Sequence, residues 1–169
     1  MNFKNGGTSP KVLIVDDLAD ARESLALIFK LYGWQDPVLA ANLTEGIAHG
    51  PDCDIAILDL GLPDYSRDEV VKKFTSSCKD TPVIVVTGDN DYDVGIACVK
   101  DGAQDFFCKT DTEPKAIKKA AEYAIERHKR LTLQIAVHEA GELCAMILDG
   151  IGKLRKVLMI PPDQNGEAK

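Results

Sequence analysis

A short apolar run that ends in an acid limits the fold of this chain more than any other feature of its sequence. The run Ile55–Leu58 is too short for a helix and too apolar for a surface loop, so it predicts a strand buried on both faces. Asp59 follows it directly. In an open parallel α/β sheet the carboxyl ends of the strands border the ligand crevice, which favours a chemical role for this acid, although an Asp after a strand also caps turns.

Four more strands are predicted on either side of this run, at Lys11–Asp16, Pro37–Ala41, Pro82–Val86 and Gln104–Lys109. Helical patterns separate and follow the strands, with capping-box spacings at Asn42 and Glu45 and at Ser66 and Glu69. The fifth helix is expected to begin near Pro114. Strands that alternate with helices in this way predict an α/β domain with a parallel five-stranded sheet and right-handed crossovers.

Charge and cysteine content exclude several classes of protein. Of the 169 residues, positions 1–112 carry 19 Asp and Glu against 10 Lys and Arg, whereas positions 113–169 carry 8 against 10. An acidic domain lacks the clustered cations that nucleic acid requires. The five cysteines show no metal-ligand spacing and are interpreted as reduced, small hydrophobic residues. No uninterrupted run approaches the roughly 18 apolar residues of a membrane span, so we expect a cytoplasmic protein without a membrane partner.

Charged and hydroxyl side chains follow four of the five predicted strands. Asp16 and Asp17 follow the first strand, Asp59 the third, Thr87 the fourth and Lys109 the fifth. All of them are expected at one edge of the sheet, where three carboxylates would repel one another unless a cation were present. Oxygen ligands with open positions suit Mg²⁺, and the Thr hydroxyl and Lys ammonium could hold the oxygens of a phosphoryl group.

These motifs together resemble the receiver domain of two-component response regulators over residues 10 to about 125. The resemblance rests on the VLIVDD acidic pair, D-x-x-x-P at Asp59 and Pro63, VVTG with Thr87, the Gly-Ala before Phe106, and Lys109. It implies a (βα)5 doubly wound, flavodoxin-like sheet of strand order 2-1-3-4-5, and the apolar pattern beyond it predicts an extended C-terminal helical tail. Taken singly, each residue also has an ordinary explanation as a helix cap, a turn former, a core side chain or a solvated strand end.

The resemblance also implies a role for each matching residue. Asp59 is expected to accept a phosphoryl group from a sensor histidine kinase or a histidine phosphotransfer protein. One Mg²⁺ is expected on Asp17, Asp59 and the carbonyl of Gly61, with Asp16 acting through a water. The remaining members are the phosphate counter-ion Lys109 and the switch pair Thr87 and Phe106. Such a protein catalyses only its own phosphorylation and dephosphorylation.

Three positions depart from the family pattern. Thr110 replaces the proline that usually follows the lysine in a cis peptide bond, so this loop is expected to be either trans and reshaped or cis and strained. Arg67 replaces the glycine usual at the start of the third helix. Phe106 lacks the hydroxyl of the commoner tyrosine, so burial alone would govern its rotation.

Two heptad seams occupy the tail, one through Ile117, Ala121, Ala124, His128, Leu131, Ile135 and His138, the other through Leu133, Val137, Ala140, Cys144, Ile147, Ile151, Leu154 and Leu158. Because the seams are offset, we expect either a long helix with a discontinuity or a hairpin turning near Gly141. The seams are expected to pack with a second chain, giving a homodimer, or with the chain's own receiver. The predicted divisions are disordered residues 1–10, the receiver at 11–125, the helical extension at 126–160 and a disordered tail at 161–169.

Two classes of function remain open from the sequence. The first is a phosphorylation-controlled switch acting on a downstream protein partner through its fourth helix, fifth strand, fifth helix and tail. The second is a phosphotransfer fragment, because the stretch at His138 faintly resembles the histidine box of sensor kinases. The chain could also be the N-terminal receiver of a longer regulator.

Overall fold

The fold is a five-stranded parallel sheet between helices, in a computed structural model that describes residues 3–4, 6, 8–88 and 92–158. The strands are β1 Val12–Val15, β2 Val38–Ala40, β3 Ile55–Leu58, β4 Val83–Thr87 and β5 Asp105–Cys108. All four pairings are parallel, in the order β2-β1-β3-β4-β5. The predicted (βα)5 doubly wound sheet is therefore confirmed, with every strand end within one residue of the position that the sequence indicated.

Helices cover both faces of the sheet. They are α1 Ala19–Leu31, α2 Leu43–His49, α3 Arg67–Ser77, α4 Tyr92–Lys100 and α5 Pro114–Val157, with a short 3-10 helix at Gly50–Asp52. One core cluster joins α1 and α5 to the sheet, with Phe29 and Ala121 fully buried. The other cluster packs α2, α3 and α4 on the opposite face, around Phe74 and Leu43. β1 and β3 are buried along their whole length, which explains their uninterrupted apolar sequences.

Strand register brings the polar ends of the strands together. Val15 pairs with Leu58, and the Asp59 amide donates to the Val15 carbonyl at 2.8 Å. Asp16 and Asp59 are therefore the next residues on two neighbouring strands. At the other side of the sheet the Lys109 amide donates to the Thr87 carbonyl at 2.7 Å. The predicted residues consequently share one edge of the sheet.

The two predicted capping boxes have different outcomes. Asn42 caps α2, because its side chain accepts from the Glu45 amide at 2.8 Å and the Glu45 carboxylate accepts from the Ala41 amide at 2.9 Å. Ser66 is the N-cap residue of α3, but its hydroxyl bonds to the Glu69 carboxylate and makes no capping bond to the helix backbone within the described residues. The helix predicted to open at Ser66 is therefore confirmed, but its capping-box hydrogen bonds do not form among the residues described, because the two side chains bind each other.

The beginning of the chain packs against the domain. Phe3 is buried, and the Lys4 amide donates to Asp54 Oδ1 at 2.9 Å while its ammonium donates to Thr81 Oγ1 at 2.8 Å. Asp54 is itself buried and also accepts from the Lys11 amide at 2.9 Å. These contacts differ from the disorder expected over residues 1–10, because a buried acid before β3 holds the segment in place.

The helix α5 runs without interruption from Pro114 to Val157, and the structure divides into two compact units after His128. Gly141 lies inside the helix, so the hairpin alternative is not observed. In the first unit Ile117, Ala121 and Ala124 pack in the receiver core, so the start of the first seam is packing within the chain. The second unit is described by its helix, whose large apolar side chains are exposed from Leu131 to Leu158. Pro161 and the predicted disordered tail lie outside the described residues.

One part of the helix α5 is apolar enough, over 18 residues, to cross a membrane by length and composition alone. The prediction that no stretch approaches this size counted only uninterrupted apolar residues, so it missed a window that contains a few charges. The exposed part of α5 carries ion pairs along its surface, with His138 Nε2 3.5 Å from Glu142 and Lys153 Nζ 2.7 Å from Asp149.

Candidate functional site

Three carboxylates meet where β1 and β3 end. Asp16 and Asp59 are buried and Asp17 is exposed, and one oxygen from each lies within 4.8 Å of the others. The strand register accounts for this proximity, because Asp16 and Asp59 extend paired strands by one residue. The structure therefore brings together the three acids that the sequence predicted as metal ligands.

Lys109 reaches these acids from the end of β5. Its ammonium lies 2.6 Å from Asp16 Oδ2 and 3.1 Å from Asp59 Oδ1. Burial of the ammonium opposes its charge, but the hydrogen bond to Asp16 and the charge of Asp59 outweigh that effect and raise the pKa of Lys109. The ammonium therefore stays charged at neutral pH and lies between the two buried acids.

The two oxygens of Asp59 have different surroundings. Oδ2 accepts from the Gly61 amide at 2.8 Å, and a β-carbon at Gly61 would lie only 2.9 Å from that oxygen. Oδ1 is buried and, among the described residues, its charged neighbour is the Lys109 ammonium at 3.1 Å. One oxygen of Asp59 is thus held by a backbone amide, and the other faces a charged side chain.

The residues present fit a divalent cation. Three carboxylates face one lysine ammonium, so the lysine does not balance their charge. The donors are hard oxygen atoms, and the solvent-exposed Asp17 leaves room for water ligands. Mg²⁺ prefers a few carboxylates with several retained waters, which is the donor set that this edge of the sheet offers.

Arg22 is a member of this region that the sequence analysis missed. Its guanidinium Nη1 donates to the carbonyls of Asp16 and Asp17, to the latter at 3.0 Å. The Leu18 amide donates to Asp16 Oδ1 at 3.0 Å, so the loop after β1 is fixed on both sides of Asp17. In the sequence Arg22 is a single basic residue one turn into α1, and this feature is too common to indicate a role by itself.

Asp64 is a second residue that the sequence analysis missed. It lies on the loop between β3 and α3, and its carboxylate accepts from the Leu43 and Thr44 amides at 3.0 and 2.8 Å. Burial alone would raise the pKa of Asp64, but these hydrogen bonds outweigh it and lower the pKa. The loop that follows the phosphoacceptor candidate is thus tied to the first turn of α2.

The predicted switch residues lie on one face of the sheet. Phe106 pairs with Val85, and Thr87 stands two residues beyond Val85 on β4, so both side chains point toward the α3 and α4 side. Thr87 is buried, whereas Phe106 is half-buried. The ring of Phe106 lies against α4 at Gly95.

The departures from the family pattern have defined local structures. Within the described residues there is no cis peptide bond, so Lys109 and Thr110 are joined in trans. The Thr110 hydroxyl lies 3.1 Å from Cys108 Sγ. Arg67 is the first residue of α3. His138, the residue of the alternative phosphotransfer hypothesis, lies on the exposed part of α5 with its side chain 77% exposed.

Comparison with known families decides the assignment. The family model described as "Response regulator receiver domain" matches residues 12–122, which is more than half of the chain. The chain belongs to the response regulator receiver family. Its matched segment contains every member of the site, from Asp16 to Lys109. The expectation drawn from the sequence motifs is therefore confirmed at the level of family and fold.

Two curated relatives are transcriptional regulators of Rhizobium meliloti. The chain is 28% identical to the C4-dicarboxylate transport transcriptional regulatory protein DctD over 148 residues, covering 86% of this chain and 32% of that protein. It is 29% identical to the transcriptional regulatory protein FixJ over 123 residues, covering 70% of this chain and 60% of that protein. The chain therefore spans less than two thirds of the length of either relative.

A solved structure shows the same fold. The CheX–CheY–BeF3–Mg²⁺ complex of Borrelia burgdorferi superposes with a TM-score of 0.61 at 24% identity, over 69% of this chain and 88% of that chain. At this level of identity the likeness concerns the fold alone.

Proposed function

We propose that this receiver is a phosphorylation-controlled switch in which Asp59 accepts a phosphoryl group from a phosphohistidine of a sensor kinase or a phosphotransfer protein. A carboxylate oxygen of Asp59 bonds to phosphorus as the phosphorus–nitrogen bond breaks, and the imidazole leaves with that bond's electron pair. The observation that carries the proposal is the position of Asp59, with one oxygen held by Gly61 and the other 3.1 Å from the Lys109 ammonium.

The neighbouring residues stabilise the transferred group. Lys109 supplies a positive charge opposite the phosphoryl oxygens, and the Thr87 hydroxyl supplies a donor from the end of β4. Mg²⁺ would be held by Asp17, Asp59 and the Gly61 carbonyl, with Asp16 acting through a water. Bound there, it would neutralise the charge that develops on the transferred oxygens. The proposal is supported by the cluster of three acids and by the position of the Lys109 ammonium between Asp16 and Asp59.

Phosphorylation is proposed to act through the face formed by α4, β5 and the start of α5. Thr87 moves toward the phosphoryl oxygens and Phe106 turns into the space it vacates. Burying a Phe side chain is favourable by roughly 1.5–3 kcal/mol, which biases a two-state equilibrium by tens of fold. The adjacent strands and the shared sheet face of Thr87 and Phe106 support this coupling.

The exposed part of α5 is proposed to pair with a second copy of the chain. The seam from Leu133 to Leu158 keeps alternating steps of four and three residues, and its large apolar members are between 47% (Ile151) and 66% (Leu133) exposed. No charged residue of this stretch lies on the seam. A dimer would remove the seam from water and bring two receivers together, in the cytoplasm as proposed from the sequence.

Incubation of the whole chain with acetyl phosphate and Mg²⁺ tests the proposed phosphorylation. The expected product is one acid-stable, base-labile adduct per chain, absent from Asp59→Asn and present in Asp52→Asn, a matched change at the opposite end of β3. An adduct that persists in Asp59→Asn would exclude Asp59 as the acceptor. A base-stable, acid-labile adduct that is lost in His138→Gln would instead support the phosphotransfer alternative.

A further inference from the structure

Gly95 of α4 lies directly under the ring of Phe106. A β-carbon built on Gly95 would stand 3.0 Å from Phe106 Cδ1, 3.3 Å from Cγ and 3.4 Å from Cε1. Carbon atoms in contact prefer separations of about 3.5–4.0 Å. The ring therefore occupies a place that exists because this helical residue has no side chain.

Backbone geometry gives no other reason for a glycine at this position. Gly95 lies inside a regular helix, and the described glycines with positive φ are Gly6, Gly33 and Gly102. A glycine inside a helix is unfavourable by about 0.5–1 kcal/mol relative to alanine, because it gains no contacts and loses more backbone entropy. The absence of a side chain at Gly95 allows the Phe106 ring to approach the helix α4 closely.

We propose that Gly95 sets the resting position of Phe106, so that a side chain at Gly95 would destabilise this position relative to the one that the ring takes on phosphorylation. The inference rests on the proposed function of Thr87 and Phe106 as a switch pair and deepens it by naming the residue that holds the resting state. The backbone of Phe106 is fixed by its pairing with Val85, whereas its ring turns about side-chain bonds. If a methyl group is added at Gly95, we therefore expect the ring of Phe106 to move while its backbone stays in place.

The alternative response to a new methyl group is a displacement of α4 itself. Cys98, one turn further along the helix, is buried among the α3 and α4 side chains of the core. Moving α4 outward would separate Cys98 from that cluster and open space beneath it, which closely packed interiors resist. Rotation of a half-buried ring requires no such separation.

Binding of beryllofluoride with Mg²⁺ measures the balance between the two states. Because linkage is reciprocal, a substitution that populates the phosphorylated-like state strengthens beryllofluoride binding by the factor by which it raises the population of that state. We expect Gly95→Ala to bind beryllofluoride roughly five-fold or more tightly than the unaltered chain, a typical size for such coupling. Hydrogen exchange over residues 92–108 in the ligand-free variant should resemble that of the unaltered chain with beryllofluoride.

The same substitution at Gly95, made in a chain whose Phe106 is also replaced, distinguishes displacement of the ring from stabilisation of the helix α4 by alanine. In Phe106→Ala the ring atoms that the new methyl group would meet are absent, so adding Gly95→Ala should leave beryllofluoride affinity unchanged. An equal gain in both backgrounds, or no gain in Gly95→Ala alone, would overturn the inference. If Gly95→Ala unfolds, and Gly95→Ala combined with Phe106→Ala folds with the affinity of Phe106→Ala alone, the proposed contact between the methyl group and the ring is supported. If the unaltered chain does not bind beryllofluoride, or Asp59→Asn binds it equally, the proposed function fails and this inference fails with it.

Discussion

The Lys109 ammonium lies 2.6 Å from Asp16 Oδ2, so a side chain from the end of β5 neutralises an acid at the end of β1, with β3 and β4 between them. The same ammonium stands 3.1 Å from Asp59. One lysine thus offsets repulsion between two buried acids on adjacent strands. Its removal should affect both the stability of the ligand-free receiver and its chemistry.

Lys109→Met is expected to lower the free energy of unfolding by about 1–3 kcal/mol, because Asp16 would stay buried without its charged partner. Mg²⁺ should recover part of that loss by supplying positive charge at the same place. Phosphorylation by acetyl phosphate should slow roughly a hundred-fold, since a charge opposite the transferred oxygens is lost. Thermal melts with and without Mg²⁺ measure the loss of stability and its recovery. Adduct formation over time measures the rate of phosphorylation.

The matched control for that variant is Lys30→Met, which removes an exposed ion pair with Asp36. Its unfolding free energy should change by less than about 1 kcal/mol and its phosphorylation should be unchanged. Equal losses in the two variants would show that the Lys109 contacts contribute nothing specific.

Asp64→Ala is expected to destabilise the receiver by about 0.5–2 kcal/mol near neutral pH, because the first turn of α2 loses the acceptor of its amide donors. The pKa of Asp64 is lowered in the folded chain, so its contribution is present above the ordinary value of 3.8 and disappears as the pH falls through the folded value. The difference in unfolding free energy between the two proteins should therefore shrink below about pH 4. A difference that is unchanged at pH 3 would contradict the assignment.

Thr87→Ala should permit phosphorylation but reduce the conformational response, since the hydroxyl that moves toward the phosphoryl group is absent. Phe106→Ala should weaken binding of a downstream partner more than it slows phosphorylation. Hydrogen exchange over residues 92–125, with and without beryllofluoride, reports the response. Thr81→Ala is the control, because Thr81 is equally buried but lies at the opposite end of β4. Identical exchange with and without beryllofluoride in the unaltered chain would make the protein a phosphate sink or a scaffold.

Ile147→Glu is expected to prevent self-association of the whole chain by placing a charge in the seam. Met146→Glu is the control, because Met146 is the neighbouring apolar residue, 71% exposed against 53% for Ile147, and lies off the seam. Light scattering should give a dimer for the unaltered chain and the control, and a monomer for Ile147→Glu and for a chain ending near Arg130. A monomeric unaltered chain at micromolar concentration would contradict the proposal, and binding to lipid vesicles would indicate a membrane-directed helix instead.

The sequence predicted those features that depend on local pattern and strand order. Buried strands such as Ile55–Leu58 are recognisable by composition, and parallel order then brings Asp16, Asp59 and Lys109 to one edge. It did not predict contacts between segments that are distant in the chain, such as Asp64 with Thr44 or Lys4 with Asp54. Loop paths decide those contacts, and no residue spacing encodes them.

The seams of α5 illustrate a different limit. A seven-residue apolar repeat indicates only that one side of a helix is covered, and a neighbouring sheet covers it as well as a second helix does. Ala121 and Ala124 therefore joined the receiver core although they continue the same repeat as Leu131, which is exposed. The Ser66 and Glu69 pair failed similarly, because correct spacing does not determine which hydrogen bond forms.

The contacts of Phe3 and Lys4 imply that the smallest piece able to fold alone is longer than the segment that the family model matches. A chain trimmed to residues 12–122 would lose both amide donors of the buried Asp54, from Lys4 and Lys11. It would also lose Ala124 and Ile125, which complete the packing of α5 on the sheet. A transplantable unit would instead run from about residue 3 to residue 128, and fusions to other proteins should be joined outside those limits.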